Sequence, residues 1–468
     1  MTDSNLTNRS LVEIAALLRA GQVSPVAVVE AYLERIARFN PELNAIVTIA
    51  PDVLDQAKRA EAGLAQRDAL GPLHGVPITI KDTIDTAGIR TTSGSRVKEN
   101  HVPSVDAVAV TRLKAAGAII LGKTNTPEMA IPYETDNPIF GRTNNPYDQR
   151  LTPGGSSGGE AAAIAACLTS GGVGSDLSGS IRVPAHFCGI VGLKPTSGRI
   201  PMTGHVPVAV GPLGDGACLG PMARVVADVS LLFRVLAASE TDEPTDAKQL
   251  KGVRVCWYDF DGVSSVSSET RAGVSAAVDA LATAGMECIE QRPPAIEAGS
   301  RLWVELFADT SARELQKFYS GAEDLAGPLA RRILDSAKQR SQQAHDTLEW
   351  AIQERNQLRA ELLAFMDSTP ILICPVGATA AFPHESSQVT INGNSVSLFR
   401  AFSYAQTFNV FDLPSVVVRA GQTAAGLPLG VQIVGKPSCE NQILGVAAII
   451  EAALGGWQPP SNTAGNPI

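Results

Sequence analysis

Two apolar runs, "AAAIAACL" at 161–168 and "FCGIVGL" at 187–193, bracket the segment "GSDLSGSIR" at 174–182. A stretch so rich in serine and glycine reads as a flexible linker when its flanks are polar. Here the flanks are core-like, so the segment itself has to be packed inside. Its backbone N–H and C=O groups must then find partners or face a ligand, because unpaired buried polar groups are costly. The chain can build such an interior. Of its 468 residues, 44% are hydrophobic and 18% charged, a balance that supports a large core and argues against disorder.

The rest of the chain alternates helix and strand patterns. "SLVE" at Ser10–Glu13 forms a capping box, and Ser24–Pro25 places an N-cap before a proline, so residues 10–39 read as two helices. "GVPITIKD" reads as a buried strand ending at Lys81. "VTRLKAAGAIIL" reads as a helix closed by Gly117 and then a buried strand. Further helix and strand patterns follow through "ARVVADVSLLFRVLAA", "GVRVCWYDF" and "PSVVVRAG". The alternation predicts an α/β fold, a single large α/β/α domain over 1–468 with a twisted mixed sheet covered by helices. Residues about 300–366 differ: they are charged and helix-periodic, and read as a helical excursion laid over the main layer.

Bulk properties exclude several functions. Net charge is −9 with no basic run, which disfavours a nucleic-acid partner. No run of ~18 apolar residues predicts a membrane span. No signal peptide is apparent at the N-terminus, and the seven cysteines (167, 188, 218, 256, 288, 374 and 439) form no CxxC pair. Both suit reduced, buried thiols and a cytoplasmic location. Residues 117–124, "GAIILGKT", fit the phosphate-loop pattern, but its centre is apolar and strand-like, with amides committed to a ladder. The six histidines show no metal-ligand spacing, and His186 in "PAHFCG" reads as a packed core residue. No metal and no cofactor is expected.

Three segments remain: "ITIKD" ending its strand at Lys81–Asp82, "TPGGSSGGE" at 152–160, and "GSDLSGSIR". Amide hydrolysis needs a nucleophilic hydroxyl, a base that later protonates the departing nitrogen, and N–H groups for the oxyanion. Tight loops of small residues at helix starts supply N–H groups. Serines there can attack and relay protons. A lysine buried at a strand end can lose its charge and act as base.

Together these segments resemble the amidase signature family. The resemblance rests on "GVPITIKD", "PGGSSGGEAAAIAA" and "GSDLSGSIRVPAHFCGIVGLKPT". It continues through "GKTNTPEMA", "NPIFGRTNNPYD", "GPMARVVADVSLL" and "GLPLGVQIVG", with the family core at about 70–230 and 370–455. It implies a Ser-cisSer-Lys triad: Ser180 as nucleophile, Ser156 after a cis peptide from Gly155 as proton relay, and neutral Lys81 as base. The spacings of 75 residues from Lys81 to Ser156 and 24 from Ser156 to Ser180 agree with the family pattern. It also implies an oxyanion hole from the backbone amides of Leu177, Ser178, Gly179 and Ser180, with Ser157, Asp176 and Arg182 holding the loops. Met129, Ala130, Ile131 and Gly155 would line the substrate pocket, together with segments 126–133 and 201–213.

Three positions depart from the family pattern. Ser178 stands where a glycine is usual; Asp412 and Arg419 replace glycine and proline in a region that often borders the pocket. The expected activity is hydrolysis of a hydrophobic or aryl amide, anilide or carbamate. The expected partner is that small-molecule substrate, and a homodimer is left open. The alternatives are an amidotransferase subunit delivering ammonia to tRNA-bound glutamate, a urea- or carbamate-type hydrolase, and a non-catalytic small-molecule-binding protein.

Overall fold

The computed structural model describes residues 6–66, 70–239, 241–340 and 344–460. Its strands are β1 (Ile46–Ile49), β2 (Pro77–Lys81), β3 (Ile119–Thr124), β4 (Gly171–Asp176), β5 (Val191–Lys194), β6 (Cys218–Ala223) and β7 (Arg254–Trp257). They continue with β8 (Glu287–Glu290), β9 (Ile371–Pro375), β10 (Gln388–Ile391), β11 (Asn394–Ser397), β12 (Ser415–Gln422) and β13 (Pro428–Val434). Eleven of these make one sheet in the order β1-β3-β2-β4-β6-β5-β12-β13-β9-β7-β8, and β10 and β11 form a separate hairpin.

The sheet is mixed. β2 runs parallel to β3 and β4, whereas β6, β5, β12 and β13 succeed one another antiparallel. Every residue of β2, β3, β4, β5, β6, β9 and β13 is buried, which is why these segments read as mostly apolar or small-residue runs. Exposed positions occur in the edge strands β1 and β8, at the start of β7 and at the end of β12. The predicted α/β class and covered mixed sheet are what the chain adopts.

Local signals performed as elementary chemistry dictates. Ser10 accepts from the Glu13 amide while Glu13 reaches back to the Ser10 amide at 2.8 Å. Ser24 caps the next helix, Pro25–Leu43, which continues four residues beyond the expected 39 and contains Pro41. The phosphate-loop look-alike is strand: Gly122, Lys123 and Thr124 all lie in the ladder of β3, and the Lys123 ammonium is spent on the Ile84 carbonyl and Thr86 Oγ1. His186 is fully buried, with Nε2 near Thr379 O at 3.1 Å and Nδ1 accepting from the Gly430 amide at 2.7 Å.

The segment expected as a helical excursion forms the helices Gly299–Trp303, Asp309–Tyr319, Pro328–Arg340 and Ala344–Ser368, with residues 341–343 outside the described residues. Among the described residues, no helix is long and apolar enough to cross a membrane, and no His, Cys, Asp and Glu cluster is placed to hold a metal ion.

Candidate active site

β2 and β4 lie side by side and parallel, so their C-terminal ends open at the same edge of the sheet. Ligands in open α/β sheets favour this edge, where strands stop and loops begin. β2 ends in Lys81, and β4 ends in Ser175 and Asp176. The Ser156 loop leads into the helix Gly158–Ala165, and the Ser180 loop into the helix Arg182–Cys188. The Ser157 amide donates to the Ser180 carbonyl at 3.1 Å, which brings the two serine loops together.

Lys81 is fully buried and donates to Ser156 Oγ at 2.6 Å and to Ser175 Oγ at 3.0 Å. Desolvation drives its pKa down from 10.5 to about 7, although the negative charges of Asp176 and Glu160 pull it part of the way back. The Gly155–Ser156 peptide is cis. Ser180 is 8% exposed, buried but not sealed from solvent.

Asp176 organises the loop that carries Ser180. Its carboxylate accepts from the amides of Gly179 at 2.8 Å and Ile181 at 3.0 Å, from Arg182 Nη2 at 2.9 Å and from Asn409 Nδ2 at 3.0 Å. Burial alone would raise its pKa, but the Arg182 guanidinium and these bonds hold it far below the usual carboxylate range. Both ionic side chains are 0% exposed. Arg182 also donates to Gln432 Oε1 at 3.1 Å and Asn409 Oδ1 at 2.6 Å, which ties the loop to β13 and to the helix Ser403–Val410. Ser157 Oγ accepts from the Ser175 amide at 3.3 Å, fastening the second serine loop to β4.

One expectation needs correction. Of the four amides assigned to the oxyanion hole, that of Gly179 is donated to Asp176 Oδ1. The amides of Leu177, Ser178 and Ser180 have no protein acceptor among the described residues. Gly179 is required by geometry: its φ is +100°, and a Cβ there would meet Ala405 Cβ at 2.6 Å.

The pocket residues also divide. Met129 is 2% exposed and belongs to an apolar cluster with Leu315, Tyr319 and Leu334 of the excursion, so it is packed away and does not form an open wall. Ile131 and Val206, one from each predicted pocket segment, flank that cluster and stay partly exposed, as does Ala130. Gly155 is pressed against the backbone of Pro132 and Glu134. The three departures have identifiable partners. Asp412, at φ 47°, accepts from the Ser197 amide at 2.8 Å, and Arg419 bonds Gln422 Oε1 at 2.7 Å and backbone carbonyls. None of these partners is a triad residue. Ser178, by contrast, is at the site: its hydroxyl meets Tyr133 Oη at 2.6 Å.

Two residues escaped the sequence reading. Ser175 is the second partner of Lys81; the only signal was its place beside Asp176. Glu160, 0% exposed, accepts from Thr79 Oγ1 and from Thr124 Oγ1 at 2.8 Å. Thr79 precedes Lys81 by two residues on the same strand face, and Thr124 lies opposite Lys81 in the ladder. Burial pushes Glu160 up to about 7, against the pull of those hydroxyls. An acid in the first turn of a helix otherwise built of glycine, alanine and one isoleucine was the available clue.

The family model described as Amidase matches residues 27–444. The chain belongs to the amidase family. An acylamidase of Rhodococcus erythropolis is 33% identical over 97% of this chain and 97% of its own. A glutamyl-tRNA(Gln) amidotransferase subunit of a Synechococcus strain is 33% identical over 93% of this chain and 94% of its own. A solved structure described as an amidase superposes with a TM-score of 0.87 at 27% identity, covering 95% of this chain and 100% of that one. The amidase family is one of C–N bond chemistry, and this chain spans nearly the full length of these relatives.

Proposed function

We propose that this amidase hydrolyses a linear, hydrophobic or aryl amide through an acyl-enzyme on Ser180. The observation that carries the reading is the buried Lys81 amine, held near neutrality and 2.6 Å from Ser156 Oγ. A neutral amine keeps a lone pair that can take the Ser156 proton. Ser156 Oγ in turn takes the proton of Ser180 Oγ as that oxygen bonds the carbonyl carbon. The carbonyl oxygen gains the negative charge and is held by the unpartnered amides of Leu177, Ser178 and Ser180. As the C–N bond breaks, the proton returns from Lys81 through Ser156 to the leaving nitrogen. Water then repeats the sequence on the ester carbonyl and frees the acid.

The apolar surroundings of Ile131 and Val206 support a hydrophobic acyl or aryl group over a small charged amide. An amidotransferase role would require partner chains. The purified chain alone is therefore offered anilides, aliphatic amides, carbamates, esters and glutamine, and rates are compared. A fluorophosphonate should label one serine, Ser180, and anilides should turn over without any added protein. Labelling confined to another serine, or turnover of glutamine alone, refutes the reading.

A further inference from the structure

The first helix of the excursion, Gly299–Trp303, lies on the helix Ser403–Val410 so closely that a Cβ at Gly299 would fall 2.2 Å from Thr407 Oγ1. This close approach brings Trp303 to the oxyanion loop and links Ser300 to it by relay. Trp303 Nε1 donates to the Leu177 carbonyl at 2.8 Å. The indole is set edge-to-face between Phe307, at 5.9 Å and 83°, and Phe399, at 5.3 Å and 61°, which fixes the direction of its N–H. Immediately after Trp303 the chain forms a π-helical turn, Val304–Ala308, a distortion that recurs at functional sites. Ser300 Oγ donates to Gln406 Oε1 at 2.8 Å, Gln406 Nε2 donates to Tyr133 Oη at 2.9 Å, and Tyr133 Oη donates to the Ser178 carbonyl at 2.9 Å. One short helix thus reaches two successive carbonyls, one directly and one by relay.

In a trans peptide the N–H points opposite to the preceding C=O. The Tyr133 bond holds Ser178 O, and the Gly179 N–H accordingly turns the other way, onto Asp176. The Trp303 bond holds Leu177 O, and the Ser178 N–H is turned away from the indole and left without a protein acceptor among the described residues. We infer that Trp303 is a positioning residue for the reaction: its indole N–H orients the Leu177–Ser178 peptide so that the Ser178 amide meets the developing oxyanion. This rests on the amidase reading above. It also gives the excursion, the least family-like part of the sequence, a role in the chemistry.

The test separates the N–H from the ring. Trp303→Phe keeps an aromatic side chain in the slot and removes only the donor. For an anilide substrate, kcat should fall about 10-fold, less than the ~10²–10³-fold that follows loss of an oxyanion donor itself. KM should stay within about twofold, and affinity for a boronic acid that bonds Ser180 Oγ should weaken in step with kcat/KM. Unchanged kcat, or a loss confined to KM, overturns the inference. If Trp303→Phe does not fold, β-(3-benzothienyl)alanine incorporated at position 303 keeps the bicyclic shape and removes only the N–H: the same joint loss in kcat and boronate affinity is expected, and wild-type values for both overturn the inference. Wild-type protein that neither hydrolyses the anilide nor labels at Ser180 refutes the amidase reading itself.

Discussion

Lys81 is the residue on which burial and charge meet most directly. Its folded pKa is about 7 against 10.5 for the free side chain. Between those values the unfolded chain binds a proton that the folded chain refuses, so this group makes stability rise with pH across that window. Below pH 7 its penalty is fully present; above 10.5 it is gone. Lys81→Met should therefore abolish amide turnover and yet raise Tm by roughly 2–5 °C at neutral pH, with the gain vanishing toward pH 10.5. Calorimetry across pH checks the sign, and a lower Tm in the variant would contradict it. In the wild type, kcat/KM should fall about tenfold per pH unit below pH 7, as Lys81 becomes protonated and can no longer accept. Ser156 separates two duties. If it both activates Ser180 and protonates the leaving nitrogen, Ser156→Ala should cost an anilide ~10²–10⁴-fold and a matched nitrophenyl ester far less, since phenolate leaves without help. Equal losses on the pair would restrict Ser156 to activating the nucleophile.

The loop from Asp176 to Arg182 behaves as an element although it is neither helix nor strand. Its rigidity comes from one carboxylate that collects backbone amides and a guanidinium in a dry interior. Removing one partner of such a pair leaves the other charge buried and uncompensated. Asp176→Asn should lower the unfolding free energy by about 3–5 kcal/mol, measured from the denaturant midpoint. A variant as stable as the wild type would mean that Arg182 is satisfied by Gln432 and Asn409 alone. The motif residues of this loop could be read from sequence because serine, glycine, Asp and Arg at fixed offsets describe a local turn. Which of its amides remains free could not be, because that depends on Asp176 and on carbonyl partners from remote segments.

At the scale of the molecule, the excursion is fastened to the sheet domain by a small polar clamp. Tyr319 Oη donates to Glu128 Oε1 at 2.7 Å and meets Ser95 Oγ at 2.7 Å, while the Gly327 amide donates to the same carboxylate at 3.0 Å. Around it lie Met129, Leu315 and Leu334, an apolar patch that the Glu128 loop and the excursion share. Tyr319→Phe removes the bridging hydroxyl and leaves the ring. A net bond of about 1 kcal/mol predicts amide exchange roughly 5-fold faster across 309–334, with β2 and β4 unaffected. Exchange that is unchanged there would show that apolar packing alone holds the excursion down.

The sequence by itself determined the fold class, the buried strands, the helix caps and the three polar segments at which chemistry is concentrated. Each of these is written in residues that are neighbours along the chain: apolar runs, Ser-Pro and Ser-x-x-Glu starts, glycines in tight turns. Only the tertiary structure decided which distant groups share one volume. It joined Glu160 to Thr79 and Thr124, gave Ser175 to the lysine, withdrew the Gly179 amide, packed Met129 against the excursion, and bound Asp412 to the Ser197 amide and Arg419 to Gln422. It also brought Trp303 to Leu177, 126 residues away. The physical reason is the same in each case. Backbone preference and hydrophobic period are local properties, whereas a hydrogen bond in a dry interior depends on which elements pack against each other. Here that was settled by the parallel pairing of β2 with β4 and by the approach of one short helix allowed by Gly299.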